Sequence, residues 1–282
     1  MVKLKVETLV PIYTIIFSLF LVLGYNCKIV QFIFGDSLSD VGNNNYLSKS
    51  LARASLPWYG IDFGNGLPNG RFSNGRTVAD IIGDKMGLPR PPAFLDPSLN
   101  EDLILGNGVN YASGGGGILN ETGSYFVQRF GLYKQIELFQ GTQDLIRAKI
   151  GETEADKFFK GARYVVALAA APVRRPTADG VWVRANGLHP ASKSVEFIRF
   201  GDAYDVVNDL ISNPNQYALT CIPASTLCKD RSKYVFWDEY HPSDSANQLI
   251  ANEMIKKLGF KPVNQADSNS PAPSIAQSAD GD

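Results

Sequence analysis

A serine in a turn after a predicted strand is the first candidate for chemistry in this sequence. The run at 28–34 (KIVQFIF) is short, apolar and rich in β-branched and aromatic residues, which predicts a buried strand. Ser37 follows it, beyond Gly35 and Asp36, and functional residues of α/β proteins gather at the carboxyl ends of strands. The Ser37 hydroxyl could act as a nucleophile, or it could merely cap a following helix.

A serine nucleophile needs a general base, and the chain contains only two histidines, His189 and His241. Asp238 precedes His241 by three residues and could orient the imidazole through Nδ1. Asn186 stands at the same spacing before His189, and an Asn in place of such an Asp costs about 10⁴ in rate in serine proteases. The spacing therefore favours His241, oriented by Asp238, as the base for Ser37.

The elements that must position these residues alternate between strands and helices. This alternation predicts an α/β fold with a parallel sheet. The pattern resumes after an aperiodic segment at 169–194 and ends in an amphipathic helix whose apolar face is Leu249, Ile250, Met254, Ile255 and Leu258. We predict buried strands at 28–34, 108–112 and 163–168, a strand at 195–200, helices at 77–86, 130–150, 155–160, 203–212 and 247–258, and a loop at 213–236.

Composition excludes several classes of function. The 282 residues include 27 Lys and Arg against 28 Asp and Glu, so there is no electrostatic footprint for nucleic acid. Three cysteines exclude a disulfide-dense scaffold, and the presence of only two histidines argues against a His-rich metal site. We therefore predict a globular protein with no metal.

The two ends of the chain read as segments outside the folded domain. Residues 1–24 combine two early lysines with an apolar run, which favours a cleaved signal peptide over a membrane anchor. Residues 261–282 are rich in Ser, Ala, Pro and Asp and predict a disordered tail. One domain remains at 25–260, and we expect a secreted protein with no stable membrane span after cleavage.

Secretion gives meaning to two further features. Asn120-Glu121-Thr122 is a glycosylation sequon in a glycine-rich stretch. Cys221 and Cys228 could close a small loop with a disulfide, which would leave Cys27 over. We therefore predict a glycan on Asn120 and treat the Cys221–Cys228 pairing as possible.

Four ordered motifs resemble those of the plant GDSL esterase/lipases, within the SGNH hydrolase superfamily. They are Gly35–Asn44 (GDSLSDVGNN), Asn69–Thr77 (NGRFSNGRT), Asn110–Gly115 (NYASGG) and Asp238-x-x-His241-Pro242. The resemblance covers about 28–168 and 195–260. It implies a three-layer α/β/α sandwich with a flavodoxin-like parallel sheet. It also implies hydrolysis of small-molecule or lipid esters without metal or organic cofactor.

The resemblance also implies a role for each matching residue. Ser37 would be the nucleophile, His241 the general base and then acid, and Asp238 the residue that orients it. The oxyanion hole would consist of the backbone N–H groups of Ser37 and of one glycine, Gly115 or its neighbour Gly114. The alternative for this glycine-rich stretch is a merely flexible turn.

One block of the family pattern is missing. In the family, a Gly-x-Asn-Asp block follows a later strand, and its Asn supplies a further oxyanion donor. After the matching strand at 163–168, this sequence has Ala169-Ala170-Ala171-Pro172 instead. Losing one such donor costs about 10²–10³ in kcat. The altered segment at 169–194 also predicts a sheet that is incomplete in the middle. Two expectations follow: an active secreted serine esterase, or an impaired relative (a splice variant or a mispredicted chain) that at most binds lipid or a partner.

Overall fold

A three-stranded parallel sheet forms the centre of the described part of the chain. The computed structural model describes residues 29–168, 204–212, 218–220 and 227–260. Strand β1 (Gln31–Gly35) lies between β2 (Gly108–Asn110) and β3 (Arg163–Ala167), and both neighbours run parallel to it. Every residue of β1 is buried, as expected for the middle strand of a parallel sheet. The expectation of an α/β fold with a parallel sheet is confirmed.

Helices and a second small sheet surround this centre. Two three-residue strands, β4 (Ala218–Thr220) and β5 (Tyr234–Phe236), pair in parallel, so the expectation of a loop throughout 213–236 is wrong. Strands of three residues are too short to give a recognisable period. The helices are α1 (Asn43–Tyr46), α2 (Val78–Lys85), α3 (Glu101–Asn107), α4 (Leu132–Ile150), α5 (Glu152–Gly161), α6 (Tyr204–Ser212) and α7 (Asp244–Leu258), and the second sheet consists of β4 (Ala218–Thr220) and β5 (Tyr234–Phe236).

Aromatic side chains fix β1 against helices α4 and α5. The Phe34 ring stacks on Tyr111 at 5.2 Å between centroids, and Phe32 lies 5.7 Å from Phe159 of α5. The Tyr111 hydroxyl is satisfied by Thr142 of α4, 2.7 Å away. Each buried aromatic ring of this kind contributes about 1.5–3 kcal/mol. The sheet is therefore anchored at the strand whose carboxyl end leads into Ser37.

The carboxyl end of β1 is held by backbone contacts that only glycine allows. A β-carbon at Gly35, whose φ is +152°, would lie 2.0 Å from the carbonyl oxygen of Ala167 on β3. The buried amide of Gln135 on α4 accepts from the Gly35 N–H and donates to its carbonyl, both at 2.8 Å. The turn after β1 is thus fixed from the sheet on one side and from a helix on the other.

Strand β3 differs from its predicted environment. We expected a buried strand, but Tyr164 is 48% exposed and Val166 is 60% exposed. Within the described ranges β3 pairs with β1 alone, so it is an edge strand of this sheet. The period of an apolar run does not report how many neighbours a strand has. The expectation of burial is therefore wrong for β3.

The last helix begins earlier than its sequence pattern predicted and buries only part of the predicted apolar face. Helix α7 begins at Asp244, where the Ser243 hydroxyl caps it by accepting from the Ala246 N–H at 3.1 Å. Its buried face includes Ala246, Ile250 and Ile255, whereas Leu249 is 36% exposed. The small residues allow close packing of α7 on α6 and β5. Of the predicted apolar face, Ile250 and Ile255 are buried.

Several predicted segments lie outside the described residues. These are the signal peptide at 1–24, the altered segment at 169–194, the strand at 195–200 and the tail at 261–282. Among the helices that the structure describes, none has the length and apolar character needed to cross a bilayer.

Candidate active site

Ser37 lies in a tight turn directly beyond β1. The Asp36 carbonyl accepts from the N–H groups of Ser39 and Asp40, at 3.1 and 3.0 Å, and the Asp36 carboxylate accepts from Leu38. Across the described ranges, neither the hydroxyl nor the backbone N–H of Ser37 makes a hydrogen bond. The residue is half-buried, and helix α1 begins only at Asn43 after Gly42. The alternative that Ser37 caps the following helix is therefore wrong.

Asp238 and His241 form a closely bonded pair. The His241 Nδ1 lies 2.8 Å from Oδ1 and 2.7 Å from Oδ2 of the Asp238 carboxylate. Oδ1 also accepts the backbone N–H groups of Tyr240 and His241, at 2.8 and 2.9 Å, and Oδ2 accepts the Tyr59 hydroxyl at 2.7 Å. Burial works most strongly on the pKa of Asp238 and would raise it, but the hydrogen bond and attraction to His241, together with the hydrogen bonds from Tyr59 and the Tyr240 backbone, lower it overall. The carboxylate is therefore ionised and can hold the imidazole in one orientation.

Phe72 connects His241 to the glycine-rich loop. Its ring lies 4.9 Å from the imidazole between centroids, and a β-carbon at Gly114 would lie 2.8 Å from its Cζ. No hydrogen bond joins the hydroxyl of Ser37 to His241, both of which the structure describes. Catalytic hydrogen bonds are often long without substrate and tighten when it binds. The structure thus brings Asp238 and His241 together and leaves the Ser37–His241 bond unformed.

The glycine-rich loop has defined hydrogen bonds and is no merely flexible turn. The Gly114 N–H donates to Oδ2 of Asp40 at 2.9 Å, and the Gly114 carbonyl accepts from the Asn44 amide at 2.7 Å. The Gly116 N–H donates to the Ser113 carbonyl at 2.8 Å. By contrast, the Gly115 N–H has no partner in the part of the chain that is described. Of the two candidate glycines, Gly115 is the one with a backbone donor left over.

Asp40 joins the turn after β1 to that loop. Its fully buried carboxylate accepts the backbone N–H groups of Gly42 and Asn43 at 2.8 Å each, of Asn44 at 3.3 Å and of Gly114 at 2.9 Å. Burial raises the pKa of Asp40 to about 6, while these four hydrogen bonds work in the opposite direction. Sequence reasoning missed this role, although a carboxylate in a motif that continues into glycine and asparagine is a recognisable signal.

Asparagines complete the link between the first and third matching motifs. The Asn43 amide donates to the carbonyls of Asn110 and Ala112, at 2.8 Å each. The Asn110 amide donates to the Ser39 carbonyl at 2.7 Å. Asn43, Asn110 and Ser39 are all buried. These bonds therefore satisfy buried backbone carbonyls, which would destabilise the fold if they had no hydrogen-bond donor. The conspicuous asparagines of the motifs therefore position the Ser37 turn.

The second matching motif holds the histidine side of the site. Arg76 makes a bidentate ion pair with Asp244 at the start of α7, with distances of 2.9 and 2.8 Å. Asn74 accepts the Asp244 N–H at 2.8 Å. Arg71 makes a second bidentate pair, with the buried Asp80 of α2. The bonds of Arg76 and Asn74 fix the start of α7, directly after the loop that carries His241, and the Arg71–Asp80 pair fixes the motif itself against α2.

The remaining predicted site residues lie away from this cluster or outside the described residues. Asn120 is exposed, as a glycosylation site must be. Cys228 is disulfide-bonded, and its partner, Cys221 or Cys27, lies in a part that the structure does not describe. The described residues contain no group of three or more His, Cys, Asp or Glu side chains that could hold a metal ion.

Comparison with known proteins gives a consistent result. The family model described as GDSL-like Lipase/Acylhydrolase matches residues 32–170. GDSL esterase/lipase At1g74460 of Arabidopsis thaliana is 51% identical, over 94% of this chain and 98% of the relative. GDSL esterase/lipase At5g37690 of the same plant is 36% identical, over 89% of this chain and 93% of the relative.

A parallel α/β sheet with these matches defines the class as carboxylic ester hydrolases, by family resemblance. This chain belongs to the plant GDSL esterase/lipase family. The alignment with the first relative extends over 359 positions, more than the 282 residues of the chain. Parts of that relative therefore have no counterpart here, and the family match ends at residue 170, where the altered segment begins.

Proposed function

We propose that this protein is a secreted serine esterase or lipase that works through Ser37, Asp238 and His241. The observation that carries the proposal is the Asp238–His241 pair, whose side chains are only 15% and 11% exposed, with Nδ1 held 2.7 Å from the carboxylate. The same cluster of contacts reaches, through Phe72 and Gly114, the loop that follows Ser37. An ionised Asp that orients a histidine is the arrangement that makes an imidazole a general base for a serine hydroxyl.

The reaction would follow acyl transfer to serine. His241 Nε2 takes the proton of Ser37 as Oγ attacks the ester carbonyl, and it then gives that proton to the departing alcohol. Water, activated by the same imidazole, hydrolyses the acyl-serine, releases the carboxylic acid and regenerates Ser37. Asp238 stabilises the imidazolium through Nδ1. The N–H groups of Ser37 and Gly115 would donate to the oxyanion, which supplies much of the rate acceleration in such enzymes.

Hydrolysis of p-nitrophenyl esters tests this proposal. We expect Ser37→Ala to lower kcat/KM at least about 10³-fold, because no other group then forms the acyl intermediate. Ser39→Ala is a matched control, since it removes a hydroxyl from the same turn and leaves the backbone bonds in place. A wild-type protein no faster than Ser37→Ala would reject the proposal.

An impaired relative that binds lipid or a partner is the second candidate. The alanines and proline at 169–172, in place of an asparagine that donates to the oxyanion, favour it. It predicts saturable binding of a fatty acid, measured by calorimetry, with no turnover of the matching ester. Turnover that depends on Ser37 would exclude it.

Secretion, glycosylation and the disulfide pairing are parts of the same proposal. Asn120 is exposed, and a disulfide at Cys228 fits an oxidising compartment. Expression in plant cells should yield extracellular protein that lacks residues 1–24. Glycosidase treatment should lower its mass, and Asn120→Gln should abolish that shift. Peptide mapping without reduction should link Cys221 to Cys228; a Cys27–Cys228 peptide would contradict this pairing.

A further inference from the structure

A tyrosine far away in sequence bonds the carboxylate of the proposed triad. The hydroxyl of Tyr59 donates to Oδ2 of Asp238 at 2.7 Å, the same oxygen that lies 2.7 Å from His241 Nδ1. Tyr59 is half-buried, and its ring packs edge-on against Phe72 at 6.2 Å between centroids. Phe72 in turn packs against His241, so Tyr59 contacts the Asp–His pair through both its hydroxyl and its ring.

The backbone holds Tyr59 in place independently of this hydrogen bond. Trp58, directly before it, has a φ of +78°, which is rare for a bulky residue and persists only where the surrounding structure enforces it. Directly after it, the Gly60 N–H donates to the Ser73 carbonyl at 2.8 Å. Tyr59 is therefore presented to Asp238 by a fixed and strained segment, and strain of this kind clusters at functional sites.

The two carboxylate oxygens of Asp238 have different hydrogen-bond partners, and Tyr59 contacts Oδ2. Backbone N–H groups of Tyr240 and His241 donate to Oδ1, which also lies 2.8 Å from His241 Nδ1, so the orientation of the carboxylate is already set. Oδ2 accepts from His241 and from Tyr59, and in the described part of the chain Tyr59 is the one side chain besides His241 that donates to Asp238. The Tyr59 hydroxyl therefore partly neutralises the negative charge of Oδ2 that attracts the imidazole.

We propose that Tyr59 is a positioning residue whose hydroxyl holds Oδ2 of Asp238 and limits the negative charge that faces His241. This inference rests on the proposed function of the Asp238–His241 pair. Without the hydroxyl, Oδ2 would accept one hydrogen bond fewer and keep more of its negative charge. The carboxylate would then stabilise the imidazolium of His241 more strongly.

The surrounding groups do not provide a substitute for this donor. Glu239, on the same turn as Asp238, brings a further negative charge close to Tyr59. Tyr240 lies against His241 at 6.1 Å between centroids, but its side chain is 73% exposed. Burial, followed by the charge of Asp238, raises the pKa of Tyr59, so its hydroxyl keeps its proton throughout the pH range of an esterase assay.

Titration of His241 in full-length Tyr59→Phe tests the proposal. The imidazole is followed by NMR in a His189→Gln background, because the chain contains only these two histidines. We expect the His241 midpoint to rise by about half a pH unit or more, since a charge-assisted donor to its partner is lost. The acid limb of kcat/KM against pH should move by the same amount. A variant with a merely destabilised fold would lose active protein at every pH without shifting either midpoint.

Tyr240→Phe is the matched control, because it removes a tyrosine hydroxyl beside the same imidazole and leaves the carboxylate bonds intact. It should leave the His241 midpoint unchanged. An unchanged or lowered midpoint in folded Tyr59→Phe would overturn the proposal for Tyr59. Because the NMR titration needs no turnover, this result is distinct from failure of the proposed function, which would show as a wild type no faster than Ser37→Ala.

Discussion

Replacing Gly115 by alanine is the sharpest perturbation of the proposed oxyanion hole. Gly115 has a φ of +78°, and an L side chain in left-handed backbone costs about 1–2 kcal/mol. Its new β-carbon would lie 2.4 Å from Cδ2 of Phe126, and such overpacking costs about 1–3 kcal/mol more. We therefore expect the free energy of unfolding to fall by about 2–5 kcal/mol.

Phe126 cannot easily move aside for this methyl group. Its carbonyl accepts the N–H groups of Leu51 and Gln128, at 3.1 and 2.8 Å, and Val127 beside it is held at a φ of +67°. The Gly115 backbone must therefore give way, and its N–H would turn from the position required for an oxyanion. Losing one such donor lowers kcat by about 10²–10³.

Two variants separate the contributions to this effect. Gly64→Ala carries the same left-handed backbone, at a φ of +58°, with no atom within 4 Å of the new methyl group. It should cost only about 1–2 kcal/mol and leave kcat unchanged. Gly115→Ala combined with Phe126→Ala should remove the direct overlap of the new methyl group with the ring. Urea unfolding and p-nitrophenyl ester kinetics measure both quantities; a folded Gly115→Ala with the wild-type kcat would refute the role of this N–H.

Two further predictions concern the buried charges that hold the site. Burial raises the pKa of Asp40 from 3.8 to about 6, so the folded chain binds this proton more tightly than the unfolded chain. Protonation of Asp40 therefore contributes about 3 kcal/mol to the free energy of unfolding, which is fully present below about pH 4 and is lost as the pH rises through about 6. In urea unfolding measured between about pH 4 and 7, Asp40→Asn should remove this pH-dependent contribution. A pH dependence equal to that of the wild type would contradict the prediction. Arg71→Met would leave Asp80, whose side chain is 1% exposed, buried without its partner and should cost about 3–5 kcal/mol. The same change at Arg90, in an exposed pair with Asp84, should cost less than about 1 kcal/mol, and equal losses in the two variants would refute the distinction.

The sequence could predict those features that depend on neighbours in the chain. The spacing of Asp238 and His241 places both in one turn, so their pairing could be inferred without knowledge of the fold. Strand β1 could be predicted because its apolar run is bounded by glycine. Local spacing and local composition carry this information directly.

Partners that are distant in sequence could not be predicted in this way. Tyr59 lies 179 residues before Asp238, and Gln135 lies 100 residues after Gly35. The period of a segment shows which face is apolar, but not which segment covers that face. For the same reason the exposure of β3 was missed, because burial of a strand depends on its neighbours across the sheet.

Covalent labelling of the nucleophile tests the central claim most directly. A fluorophosphonate probe reacts with a serine hydroxyl that has been activated by a base, and it requires no knowledge of the natural ester. We predict that the folded wild-type chain takes up one probe per molecule and that peptide mass spectrometry locates it on Ser37. Ser37→Ala and His241→Ala should remain unlabelled. A cooperatively folded wild-type protein that stays unlabelled, or carries the probe on another serine, would contradict the account.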